Sequence, residues 1–178
     1  MMSLDTLMAP KTTATLRLFT LYADFPAGFR ARHLTKRIAA SAGHDWNVRT
    51  EMWKLVAVNP TGPIRDMIAQ EAGESDVLLI ASSTPGQADP EILQWLDSLA
   101  GGRVNRVGPG LLIGLLGGDD GIAKDANLAV APLTAFARRT GMDFVWQTPT
   151  ADTPVDSGWL ADSVRRLLEA KKVAAAIE

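Results

Sequence analysis

Cysteine is absent from this 178-residue chain. Disulfides, thiolate nucleophiles, iron–sulfur clusters and Cys-based zinc sites are therefore excluded. Histidine is scarce: His33 and His44 are the only two, and they do not form a His-x-x-x-His pair. Catalytic zinc is not expected on that count, and no metal is expected elsewhere. There is no surplus of positive charge. Against 20 Asp and Glu stand 18 Lys and Arg, a formal net charge of -2, which argues against a nucleic-acid binder. Long apolar runs are missing too. The stretch 110–116 is the most apolar, far short of the ~20 residues a membrane span needs. Residues 1–15 lack the basic start and apolar stretch of an export signal. These absences predict a cytoplasmic protein with neither membrane nor nucleic acid as partner.

What is present is a globular composition, 47% hydrophobic and 21% charged, in a length suited to one domain with a full core. Residues 1–15 show no periodicity and read as a loose leader; 16–178 read as a single domain. From Leu16 to Gln147 a short apolar strand, a polar turn and an amphipathic helix recur. The strands are expected at 16–23, 46–55, 76–82, 110–116 and 142–147. The third and fourth are continuously apolar, as buried parallel strands are, whereas the second and fifth alternate, as edge strands do.

The first helix should start around Pro26, whose missing N–H is harmless in a first turn, with Phe25, Phe29, Leu34 and Ile38 at helical spacing and Gly43 as its stop. Asn59-Pro60 should open the second helix, running to about Ala72. Asp89-Pro90 should open the third, stopped by Gly101-Gly102. The last two helices are expected near 124–140 and 156–175. This alternation predicts an α/β fold, a three-layer doubly wound five-stranded parallel sheet of order 2-1-3-4-5, the flavodoxin-like arrangement.

In such a sheet a ligand lies beyond the carboxyl ends of the strands, where the strand order reverses. The loops concerned are 24–28, 82–89 and 117–121. The second reads Ser82-Ser83-Thr84-Pro85-Gly86-Gln87, hydroxyls followed by a Pro-Gly turn; the third reads Gly117-Gly118-Asp119-Asp120-Gly121. Both also suit ordinary turns, which use the same residue types. Asp119 and Asp120 could hold a cation but more simply face solvent. Arg30, Arg32, Lys36 and Arg37 read as a solvated basic face of the first helix. No Gly-x-Ser-x-Gly, P-loop or Ser/His/Asp order is present.

On the Ser82–Gly86 loop, the following helix with Leu93-x-Trp95-Leu96, and the Gly117-Gly118 turn, the stretch from Leu16 to about Pro149 resembles the flavodoxin-like superfamily, nearest to its NAD(P)H-dependent FMN reductases. The resemblance implies FMN as cofactor and an NAD(P)H-linked flavin oxidoreductase or electron carrier. Its ring contacts would be Ser83, Thr84, Pro85, Gly86, Gly117 and Gly118, and no side chain serves as acid or base. It also implies a homodimer, with Trp95 in the interface if not in the core. The first loop departs from the family: 24–28 reads Asp-Phe-Pro-Ala-Gly, with no hydroxyl and with a carboxylate that repels a phosphate.

A receiver domain shares the fold, but Ser82 or Ser83 stands where its phospho-acceptor should be and no lysine follows Gln147, so an active receiver is excluded. The alternative to a flavin protein is a flavodoxin-like or receiver-like module that has lost cofactor binding and acts in protein–protein interaction.

Overall fold

The computed structural model describes residues 14–58, 62–83, 90–103, 106, 108–117, 126–148 and 157–177, with backbone only at 126–129 and 157. Its elements in chain order are β1 (Ala14–Tyr22), α1 (Phe25–Ala42), β2 (Trp46–Lys54), α2 (Pro63–Glu74), β3 (Val77–Ser82), α3 (Pro90–Arg103), β4 (Leu111–Leu116), α4 (Ala126–Thr140), β5 (Asp143–Gln147) and α5 (Ser157–Ala175). The five strands form one sheet of order β2-β1-β3-β4-β5, every neighbouring pair parallel.

Side-chain alternation along the strands splits the interior in two. Leu16, Leu18, Val77, Leu79, Ile113 and Leu115 face α1 and α5, meeting Leu34, Ile38, Leu160 and Val164. Phe19, Leu21, Leu78, Ile80 and Leu112 face the other way, against α2, α3 and α4 through Ile68, Trp95, Leu96, Leu133 and Phe136. Every residue of β3 and β4 is buried, while β2 and β5 are only partly so, as central and edge positions require.

Several boundaries differ from expectation. Strand β1 begins at Ala14, inside the stretch read as leader, because 14 and 15 pair with Trp46 and Asn47 of β2. Helix α2 starts at Pro63, and Asn59-Pro60, its expected opening, lies outside the described residues. A single 3-10 turn, Leu55–Ala57, buries Leu55 first, and Gly62 at φ 142° turns the chain into the helix. Gly101 and Gly102 do not end α3; the helix runs on to Arg103, whose side chain is buried against the end of α2.

The face of α1 also differs. Phe25 and Phe29 are exposed, and the buried stripe is Ala27, Ala31, Leu34 and Ile38. Small residues let the helix lie close to β1: a Cβ on Gly28 would come within 2.7 Å of Tyr22 Cδ2. Trp95 belongs to the interior, 1% exposed and stacked on Phe19 at 5.9 Å between ring centroids, so it offers nothing to an interface. No helix among the described residues is long and apolar enough to cross a membrane.

Candidate functional site

The sheet order reverses between β1 and β3, and the residues leaving those strands meet there. Only Ala23 and Asp24 separate β1 from α1. Asp24 caps the helix, its Oδ1 accepting the Ala27 N–H at 2.9 Å, a common way to satisfy a free donor in a first turn. The same carboxylate reaches across to the end of β3. Oδ1 accepts the Ser83 hydroxyl at 2.7 Å, and Oδ2 accepts the Ser83 backbone N–H at 2.9 Å. Partial burial pushes the Asp24 carboxyl up, but those hydrogen bonds and the nearby Arg30 charge outweigh it and hold the group below the ordinary aspartate value. Asp24 is therefore a carboxylate at neutral pH.

Arg30 completes the corner. Its Nη2 donates to Ser83 Oγ at 2.9 Å and to the Gly117 carbonyl at 2.8 Å, so one guanidinium ties α1 to the ends of β3 and β4. This corrects the reading of Arg30 as part of a solvated basic face; Arg32 and Lys36 do face solvent. Arg30 is three residues after Ala27 and four before Leu34, which places it on the buried stripe. That spacing was legible, and its charge disguised it.

Gly117 turns the chain out of β4 with φ 99°, a left-handed value that favours glycine, and a Cβ there would lie 3.1 Å from Thr148 Cγ2. Around it the hydrogen bonding is incomplete. Arg30 Nε, Thr148 Oγ1 and, at the end of β5, Gln147 Oε1 are buried without a partner, three of seven such side-chain atoms among the described residues. The others belong to Thr20, Trp53, Glu71 and Trp95. Sequence reasoning missed Gln147 and Thr148, since nothing in a strand's last residues marks an unpartnered atom. Of the six residues expected to contact a ring, Ser83 and Gly117 are brought together here. Thr84, Pro85, Gly86 and Gly118 lie outside the described residues, as do Asp119 and Asp120.

The opposite edge of the sheet holds a cavity of about 810 Å³ lined by Arg17, Gln70, Glu74, Asp76, Arg106 and Lys171, among others. It is crowded with charge, yet every charge there has a structural partner. Asp76 accepts from the Arg17 N–H at 2.8 Å and from Arg106 and Lys171, each at 2.6 Å. Arg103 donates to the Ala72 and Ser75 carbonyls at the end of α2, and its pKa is pushed down to about 10, mainly by burial and also by neighbouring Arg106. Arg17 pairs with Glu74. These cations neutralise helix carboxyl termini and one buried acid. The charged cavity thus lies at the structural end, while three of the seven unpartnered atoms among the described residues belong to Arg30, Gln147 and Thr148, on the carboxyl side of the sheet.

Comparison with solved structures decides the architecture. A short-chain flavodoxin associated with a non-canonical PDU bacterial microcompartment superposes with TM-score 0.55 at 14% identity, covering 86% of this chain and 97% of that one. The fold is flavodoxin-like. A mutant flavodoxin from Pseudomonas aeruginosa gives TM-score 0.56 at 16% identity, over 85% of this chain and 99% of its own. A flavodoxin, WrbA-like protein from Agrobacterium tumefaciens gives 0.52 at 12% identity, over 92% and 99%. At such identities the likeness is one of fold. No family model and no curated protein matches the chain.

The edge fits an FMN molecule at one end only. Beside Gly117, unpartnered polar atoms and a backbone without Cβ suit a flat ligand with hydrogen-bonding edges. At the start of α1, the helix N–H of Ala27 and both donors of Ser83 are already taken by Asp24, so a phosphate does not fit.

Proposed function

We propose that this chain takes the planar ring of a flavin at the carboxyl edge of β3 and β4. Ser83, Thr84, Pro85, Gly86, Gly117 and Gly118 are the ring-side contacts. On this reading it works as an NAD(P)H-linked flavin oxidoreductase or as an electron carrier. The observation that carries the reading is that Arg30 Nε, on the guanidinium joining Ser83 to Gly117, and Gln147 Oε1 and Thr148 Oγ1, at the end of β5, are buried without a partner. Buried polar atoms are nearly always satisfied, so orphans on the carboxyl side of the sheet, where ligands of such sheets lie, support a ligand that supplies their partners. The hydride and electron chemistry is the flavin's own. The protein's part is orientation: Arg30 fixes the spacing of the two strand ends, and Gly117 lets the ring approach backbone.

The test is an absorbance spectrum of the purified protein followed by titration with flavins. Flavin fluorescence quenched at micromolar concentration supports the reading. A colourless protein indifferent to flavins at millimolar concentration removes it. That result leaves the second reading, a flavodoxin-like or receiver-like module without cofactor that acts through protein–protein interaction. The observation favouring that alternative is the Asp24 carboxylate filling the start of α1.

A further inference from the structure

We infer that Asp24 determines ligand specificity, excluding phosphorylated ligands from the carboxyl edge and admitting a planar ring that lacks a terminal phosphate, such as riboflavin rather than FMN. The inference rests on the ring reading above and adds the class of ligand to it.

A phosphate binds at a helix start because free N–H groups and the positive end of the helix dipole face it. Here the connection between β1 and α1 is Ala23 and Asp24 alone, too short to wrap a phosphate. Four donors at that corner are engaged by Asp24. The Ala27 N–H and the Ser83 hydroxyl go to Asp24 Oδ1, and the Ser83 N–H goes to Oδ2. The Gly28 N–H, next along the helix, is closed onto the Asp24 carbonyl at 2.9 Å. A carboxylate of this chain thus stands where a ligand's anion would stand, and it repels a second one.

Charge balance agrees. Among the described residues, Asp24 and Arg30 are the charged groups bonded to Ser83, one of each sign. Within that pair the positive charge is already engaged and is not free for a phosphate. The orphans on the same side of the sheet are one donor, Arg30 Nε, one acceptor, Gln147 Oε1, and one hydroxyl, Thr148 Oγ1. That set suits an uncharged group carrying both donors and acceptors.

The experiment compares riboflavin and FMN on the wild-type protein, Asp24→Ser and Asp24→Asn, by fluorescence titration at constant ionic strength. Serine retains a helix cap and adds the hydroxyl a phosphate uses, and asparagine keeps the shape without the charge. The wild type should bind riboflavin about tenfold or more tighter than FMN, as like-charge repulsion at this range demands. Asp24→Ser should shift that ratio towards FMN, with Asp24→Asn between. Equal or tighter FMN binding by the wild type overturns the inference while leaving the ring reading intact. If neither flavin binds any of the proteins, the ring reading fails, and inorganic phosphate then decides the role of Asp24. Thermal stabilisation of Asp24→Ser but not the wild type by millimolar phosphate, against chloride of equal ionic strength, upholds the exclusion. No difference between the two overturns it.

Discussion

At the scale of single residues, Asp24 has the most to lose. It satisfies a helix donor and two donors of Ser83 with one carboxylate, so Asp24→Ala strips the α1 cap and unlocks the end of β3. The expected loss is about 1–2 kcal/mol, read as a lowered urea midpoint. The pH dependence follows from the direction of its pKa. The folded value lies below the ordinary 3.8, so the stabilisation is complete above that value and is lost as the pH falls through the lower folded one. Urea midpoints for wild type and Asp24→Ala, measured from about pH 5 to about pH 2, should therefore converge on the acid side. The sequence marked Asp24 as hostile to phosphate, but not that it caps α1 and holds Ser83. Capping can be guessed from an Asp before a Pro-containing first turn. A contact spanning 59 residues cannot, because it depends on how β1 and β3 align.

Among the elements, α1 shows how spacing can be read correctly and assigned to the wrong face. Phe25 and Phe29 share a period with Leu34 and Ile38 closely enough to suggest one apolar stripe, yet Ala27 and Ala31 take the buried positions. Volume decides it: with Gly28 pressed against the Tyr22 ring, there is no space for a phenylalanine beneath α1. Gly28→Ala should accordingly cost about 1–3 kcal/mol by overpacking, seen as a drop in thermal midpoint. A similar Gly→Ala change at Gly101, where an added Cβ meets nothing, serves as the control. The third helix makes a complementary point. Gly101-Gly102 reads as a stop, but Arg103 gains buried hydrogen bonds at the end of α2 and carries the helix past both glycines. Tertiary contacts overrode a local signal there.

For the whole molecule, the sheet order was legible because burial of whole strands leaves a mark on composition. Runs such as Val77–Ser82 and Leu111–Leu116 are apolar on both faces, and Trp46–Lys54 is not. The amino edge was not legible, since Arg17, Asp76, Arg106 and Lys171 are scattered through the chain and meet only in three dimensions. Their role is to close the sheet. Asp76, with its side chain 2% exposed, anchors two cations and one backbone N–H. Asp76→Ala leaves those groups without their anion and should cost about 3–5 kcal/mol in equilibrium unfolding, with no change in flavin affinity. The division into a structural amino edge and a ligand-binding carboxyl edge is the central claim, and amide chemical-shift mapping with riboflavin tests it most directly. The account predicts shifts at Ser83, Gly117 and Thr148 while Asp76 and Arg103 stay still. Shifts gathered around Asp76 and Arg103, or none anywhere at millimolar riboflavin, would contradict it.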